Sequence, residues 1–225
     1  MRSPLISIIV PIGPEEESWA PLMSDLSFLP KSDISFEIIF CCCEEGRTFF
    51  EMPFVRTVYS ERGRGRQLNK GAEVASGRFL WFLHADSRLE KADFFKLIGS
   101  LSDYPERFHY FDLSFLEDGP PFMALNALGV KLRSDILGIP FGDQGFCLSK
   151  DLFWELEGLS ENDVGEDHLF LWKVRQMGIK LENTRGRIAT SSRKYREKGW
   201  LKTTLFHLFL TAKVAIPRWL QTFDS

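Results

Sequence analysis

At 225 residues, with 44% apolar and 26% charged side chains, the chain has the size and balance of one sizeable globular domain. A formal net charge of −3 and a pI near 5.9 argue against a nucleic-acid binder, whose domain would carry a basic footprint. No run approaches the ~20 apolar residues of a spanning helix, and Met1-Arg2-Ser3-Pro4 leads toward a strand with no signal-peptide pattern.

Leu5 to Ile12, LISIIVPI, is β-branched and predicts a first central strand, ended by Gly13-Pro14. Glu15 to Glu17 follow, and acidic side chains there suit a helix N-terminus. Phe36 to Cys43 predicts the second strand. Adjacent cysteines in a strand point to opposite faces, so Cys41 to Cys43 make a poor disulfide or zinc framework. They read as free thiols of a reducing cytosol. Phe54 to Tyr59 predicts a short third strand, leading into Arg62-Gly63-Arg64-Gly65-Arg66. GRGRQL lacks the third glycine of a dinucleotide fingerprint. Three arginines among two glycines suit either a cationic phosphate-binding loop at a helix N-terminus or plain solvated charge.

Leu68, Gly71, Ala72 and Ala75 share one helical face, and Gly77 is expected to end that helix in a left-handed conformation. Phe79 to Leu83 is apolar on both alternating faces, which predicts a strand buried on both sides in the middle of a parallel sheet. It stops at His84-Ala85-Asp86-Ser87. In open α/β sheets the crevice beyond the carboxyl ends of the strands binds ligands, and Asp86 is placed there to hold a divalent cation or a polar substrate.

Phe94, Leu97, Ile98 and Leu101 predict another helix, and Phe108 to Leu116 another strand. After the turn Glu117 to Pro121, Phe122, Leu125, Leu128 and Leu132 continue as a helix. Gly142-Asp143-Gln144-Gly145 then enters a strand at Phe146 to Leu148; its glycines permit close approach of a ligand, and an Asx-turn is an equal reading of Asp143. Glu166-Asp167-His168 precedes a helix expected to bury Leu169, Phe170, Val174 and Met177, with Asp167 as a natural N-cap. Seven basic residues lie between Arg185 and Lys202 against Glu197 alone, as a solvated surface or a site for a diphosphate or anionic headgroups. Trp200 to Leu220 is helical and apolar-rich, to be packed on the domain or laid on a membrane surface. Two histidines, His84 and His168, flank the key acids, but no metal-motif spacing such as HExxH occurs.

ASGRFLWFLHADS, with the preceding RGRQLNKGA, resembles family 2 glycosyltransferases of the GT-A fold. It is most similar to a small bacterial branch whose motif reads LHADS/T in place of a full Asp-x-Asp. The likeness runs from Ile6 to about Trp200. It implies an α/β fold with a mostly parallel central sheet flanked by helices and a C-terminal amphipathic helix. It implies a single domain over 1–225, with a donor half at about 1–88, an acceptor half at about 89–199 and the C-terminal helix at about 200–221. The implied reaction moves a sugar from a nucleotide-diphosphate donor to the hydroxyl of a saccharide or lipid-linked acceptor, with inversion and with Mn2+ or Mg2+.

By the same resemblance Asp86 holds the metal, and Glu15, Arg64, Gln67, Asn69 and His84 attend the nucleotide sugar. Asp143, Gln144 and Glu166 attend the acceptor, and Asp167 is the general base. The family's uracil-binding aspartate falls at Cys42, where this chain has a thiol; Glu44 or Glu45 is a substitute for it. A cytoplasmic location is implied, with peripheral contact at the inner membrane face as a further option. Two other readings share the crevice: a non-catalytic GT-A-like module and a nucleotidyltransferase. The latter would carry a glycine- and lysine-bearing loop where this chain has Gly13-Pro14-Glu15.

Overall fold

The computed structural model describes residues 5–44, 54–161, 165–205 and 209. Glu45 and most of the expected C-terminal helix lie outside them. The strands are β1 (Ile6–Ile12), β2 (Phe36–Cys42), β3 (Val55–Tyr59), β4 (Phe79–Phe82), β5 (Phe108–Phe115), β6 (Cys147–Ser149) and β7 (Leu181–Thr190). They form one seven-stranded sheet in the order β3-β2-β1-β4-β6-β5-β7. β3, β2, β1 and β4 are mutually parallel, as are β5 and β7, while β6 runs antiparallel to β4 and β5. The sheet is α/β and mostly parallel, as expected.

The helices are α1 (Trp19–Asp25), α2 (Arg64–Val74), α3 (Lys91–Asp103), α4 (Met123–Leu137), α5 (Lys150–Glu155), α6 (Glu166–Gln176) and α7 (Arg193–Lys198), and the chain is helical again from Trp200 to Leu205. Strand alternation divides the core between two faces. Ile8, Val10, Phe40 and Trp81 pack on one side with Phe94 of α3; Ile9, Ile39, Leu80 and Phe82 pack on the other with Leu68 of α2 and Phe170 of α6. Each such side chain contributes about 1.5–3 kcal/mol through burial. That double covering is why Phe79 to Phe82 carries no polar residue.

Several local expectations change. Gly77 is not left-handed: α2 closes at Val74, and Gly77 is required because a Cβ there would stand 2.5 Å from Ser7 Oγ and 2.6 Å from Ser7 N. Its own N–H donates to Ser7 Oγ at 2.8 Å, which ties the start of β4 to β1. In α6 the buried side is Phe170, Leu171, Trp172 and Val174, while Met177 is exposed. Asp167 is not the N-cap of α6: Gly165 holds that position, and Asp167 lies inside the first turn. Glu15 to Glu17 precede α1 without entering its first turn, although Glu16 accepts the Ser18 N–H at 2.8 Å. Cys42 is buried in the core, so its side chain does not face the crevice.

Candidate active site

β1, β2, β4, β5 and β7 end on the same edge of the sheet, and the polar groups gather beyond the end of β4. The apolar strand stops at Phe82, and the next residues make a tight turn in which the His84 N–H donates to Ser87 Oγ at 3.1 Å. Asp86 leaves this turn toward the end of β7, where its Oδ2 accepts from Thr190 Oγ1 at 3.0 Å and Ser191 N at 3.4 Å.

Arg64 is the first residue of α2, and its guanidinium reaches across the crevice. Nη2 meets His84 Nε2, and Nε lies 3.3 Å from Glu166 Oε1. Gly142 makes this approach possible, since a Cβ there would stand 2.6 Å from Arg64 Nη2 and 3.0 Å from Asp167 Oδ2. The Gly142 N–H donates to Asp167 Oδ2 at 2.8 Å, and the His168 N–H donates to Oδ1 at 3.0 Å. Arg64, Glu166 and Asp167 border a small pocket floored by Leu68, Phe82, Phe146, Leu159 and Phe170.

Charge is distributed unevenly over this cluster. Burial pushes His84 down to about 3, helped by Arg64, so the imidazole is neutral and Nε2 accepts from the guanidinium. Burial works to raise Asp167 too. Arg64, His168 and the two backbone N–H bonds outweigh it, and hold that carboxyl below the usual range. Asp143 goes the other way. Burial raises it to about 6, against the pull of Arg133, with the charges of Asp167 and Asp86 adding to the rise and that of Arg64 opposing it. Its Oδ1 is buried and has no hydrogen-bond partner among the described residues. Glu166 is likewise raised by burial, with Arg64 opposing.

No protein-family model and no curated protein matches the sequence. Solved structures do match the architecture. GalNAc-T7, crystallised with UDP, GalNAc and Mn2+, superimposes with a TM-score of 0.62 at 15% identity, over 85% of this chain and 44% of its own. Residues 1–349 of TarS from S. aureus give a TM-score of 0.60 at 15% identity, over 83% of this chain and 60% of that one. This chain spans less than two thirds of either neighbour. The fold is that of the GT-A glycosyltransferases.

Within this GT-A frame the structure brings His84 and Glu166 into contact with Arg64, with Asp167 and Asp143 in the electrostatic reach of that guanidinium and Asp86 in that of Asp143. Other residues expected at the site have internal partners. Gln67 donates Nε2 to Ile12 O at 2.8 Å and Cys41 O at 2.5 Å, joining the ends of β1 and β2 from below. Asn69 clamps the 159–161 loop, giving Nδ2 to Leu159 O and taking the Leu159 N–H on Oδ1, each at 2.9 Å. Gln144 is buried: Oε1 accepts from Arg133, Ser134 and the Phe141 N–H, and Nε2 donates to Phe111 O. Glu15 is exposed just after β1, with φ of 53°.

Sequence reasoning missed Arg133 and Thr190. Arg133 stacks its guanidinium 3.3 Å from the Phe141 ring centroid and supplies the strongest opposing charge to Asp143. Its signal was available: Asn126 and Arg133 repeat at helical spacing within an apolar helix, which marks a polar face turned inward. Thr190 gave no signal, because its partner Asp86 lies 104 residues away.

Among the described residues no group of three His, Cys, Asp or Glu side chains forms a ready metal cage. A diphosphate-borne cation needs few protein ligands, since phosphate oxygens and water fill its other positions. The Asp86 carboxylate, beyond the end of β4 and turned toward the end of β7, suits that kind of hard cation.

Proposed function

We propose that this chain transfers a glycosyl group from a nucleotide-diphosphate sugar to an acceptor hydroxyl. The observation that carries the reading is the convergence of Arg64, His84, Asp86, Asp143, Glu166 and Asp167, from four separate segments, at the carboxyl edge of a GT-A sheet. The neighbour crystallised with UDP, GalNAc and Mn2+ supports the donor class. Asp86 would hold Mn2+ or Mg2+ there, and the cation, when bound, neutralises charge on the leaving diphosphate.

The chain's own residues handle the other charges. Arg64, held between neutral His84 and Glu166, keeps a fixed positive group at the donor edge. The acceptor oxygen bonds to the anomeric carbon as the bond to the diphosphate breaks, and the hydroxyl proton passes to a carboxylate. The base is assigned to the Asp143–Asp167 pair. The family resemblance points to Asp167, whose oxygens each accept one backbone N–H bond and keep a further lone pair. Asp143 Oδ1 has no hydrogen-bond partner among the described residues, and general-base assistance is worth ~10²–10⁴ in rate. A single in-line displacement with these parts inverts the anomeric centre.

A thermal-shift panel of UDP-, GDP-, CMP- and dTDP-sugars, each with and without Mn2+, tests the reading. Cation-dependent stabilisation by one nucleotide, with release of its diphosphate when acceptors are supplied, is the expected result. Stabilisation with no turnover on any acceptor would leave a binding module.

A further inference from the structure

α4 is turned inside out. It predicts as an ordinary amphipathic helix, yet Leu125, Leu128, Leu132 and Ile136, spaced three or four apart on one stripe, are between 49% and 71% exposed. Its inward face carries Met123 and Ser134, both buried, with Asn126 and Arg133 partly buried. The charged residues Lys131 and Asp135 pair with each other at 2.9 Å and turn toward the sheet, Lys131 to Asp112 of β5 and Asp135 to Tyr110 of β5 and Asn183 of β7.

The helical turn from Trp200 lies alongside. Trp200 Nε1 donates to Asn126 Oδ1 at 2.6 Å, Asn126 Nδ2 donates to Thr204 Oγ1 at 3.0 Å, and the Trp200 ring meets Phe122 at 5.4 Å. This seam is largely polar. Leu201 and Leu205, each next in sequence to a seam residue, are left exposed, and so is Phe209. A helix docked to cover α4 would bury those leucines against it. Here two neighbouring helices meet through polar groups and leave their apolar side chains to the outside.

Charge decides what this surface fits. α7 and the residues after it carry exposed Lys194, Arg196, Lys198 and Lys202 beside Glu197, with exposed Arg193 lying 3.8 Å from Asp118, immediately before and within the apolar turn. Exposed apolar stripes bordered by a basic edge match an anionic bilayer, where the apolar side chains enter the acyl boundary and the cations meet headgroup phosphates. We propose that α4 and the segment from Arg193 to Leu205 form a peripheral membrane-binding face for anionic lipid. The proposal does not depend on the catalytic reading, since none of these outward side chains belongs to the site at β4.

Co-sedimentation of the full chain with vesicles of phosphatidylcholine, alone and with phosphatidylglycerol, is the test. The wild type is expected to pellet with the anionic vesicles and to be released by salt. Leu128→Ser with Leu132→Ser should lower the partition coefficient about ten- to hundredfold, with melting temperature and nucleotide binding unchanged. Lys194→Gln with Lys198→Gln should remove the preference for the anionic vesicles. A wild type that stays in the supernatant with both vesicles would overturn the proposal. So would a marked fall in melting temperature in the double-leucine variant, which would show that the chain covers its own stripe. Concentration-dependent dimers abolished by that variant, without vesicle binding, would assign the face to a second copy instead.

Discussion

The polar residues of α2 and those across the crevice from it behave in opposite ways. Gln67 and Asn69 spend their amides on carbonyls and N–H groups of β1, β2 and the 159–161 loop, and so fasten the frame. On the far side Gln144 is similarly consumed, but its neighbour Asp143 keeps a buried oxygen with no partner among the described residues and a raised affinity for its proton. A satisfied buried amide stabilises; an unsatisfied buried carboxylate costs stability and persists where chemistry needs it. Under the proposed function, that difference is what separates Gln67, Asn69 and Gln144 as frame from Asp143 as reacting group.

The sharpest way to break this contrast is Asp143→Asn. Turnover should fall ~10²–10⁴-fold, because the amide cannot take the acceptor proton. Stability should move the other way. The folded carboxyl titrates at about 6 against an ordinary value of 3.8, so folding takes up a proton between those values. That contribution is full below the lower value and is lost as pH rises through the upper one. The variant should therefore lack the decline of stability with rising pH across that window. Near neutral pH it should melt no lower than the wild type, and by an order-of-magnitude estimate about 1–3 kcal/mol more stable. Denaturant titrations at several pH values check both statements; an inactive variant that is also less stable would make Asp143 a scaffold residue.

Gln67→Ala should do the reverse. Removing a buried amide that serves two carbonyls costs about 2–4 kcal/mol, while nucleotide affinity of the folded fraction is retained. Chemical denaturation paired with calorimetry reads the two separately, and a loss of affinity at unchanged stability would place Gln67 on the ligand. Asp167→Asn should cost less stability than Gln67→Ala, about 1–3 kcal/mol. An asparagine can accept one of the two N–H bonds from Gly142 and His168 but meets the other with its own NH2. Its turnover should fall about tenfold or more, as the pair loses a charge. A variant as stable as the wild type would mean that one of those bonds contributes nothing.

The strands that carry the site were legible because burial on both faces leaves a simple mark: Ile6 to Ile12 and Phe79 to Phe82 are apolar throughout or nearly so. β7 was hidden by its charges. Arg185 and Arg187 point outward between buried Gly186 and Ile188, a period-2 alternation that passes for a basic run when charge alone is counted. α4 was visible as a helix, but periodicity reports a stripe and not the direction it faces. At the site, Arg64, His84, Asp86, Asp143, Glu166 and Asp167 were legible from local motifs. The commitments of Gln67, Asn69 and Gln144 were not, since each bonds to backbone groups that only the folded sheet brings near.

Under the proposed function, the crevice beyond β4 takes a nucleotide diphosphate through a cation held by Asp86. Calorimetric titration of the nucleotide selected by the thermal-shift panel, into wild type and Asp86→Asn with and without Mn2+, tests it directly. The wild type should gain about tenfold or more in affinity from Mn2+, and the variant, equally well folded, should gain none. Equal affinity in the two proteins, with Mn2+ and with chelator alike, would contradict the account.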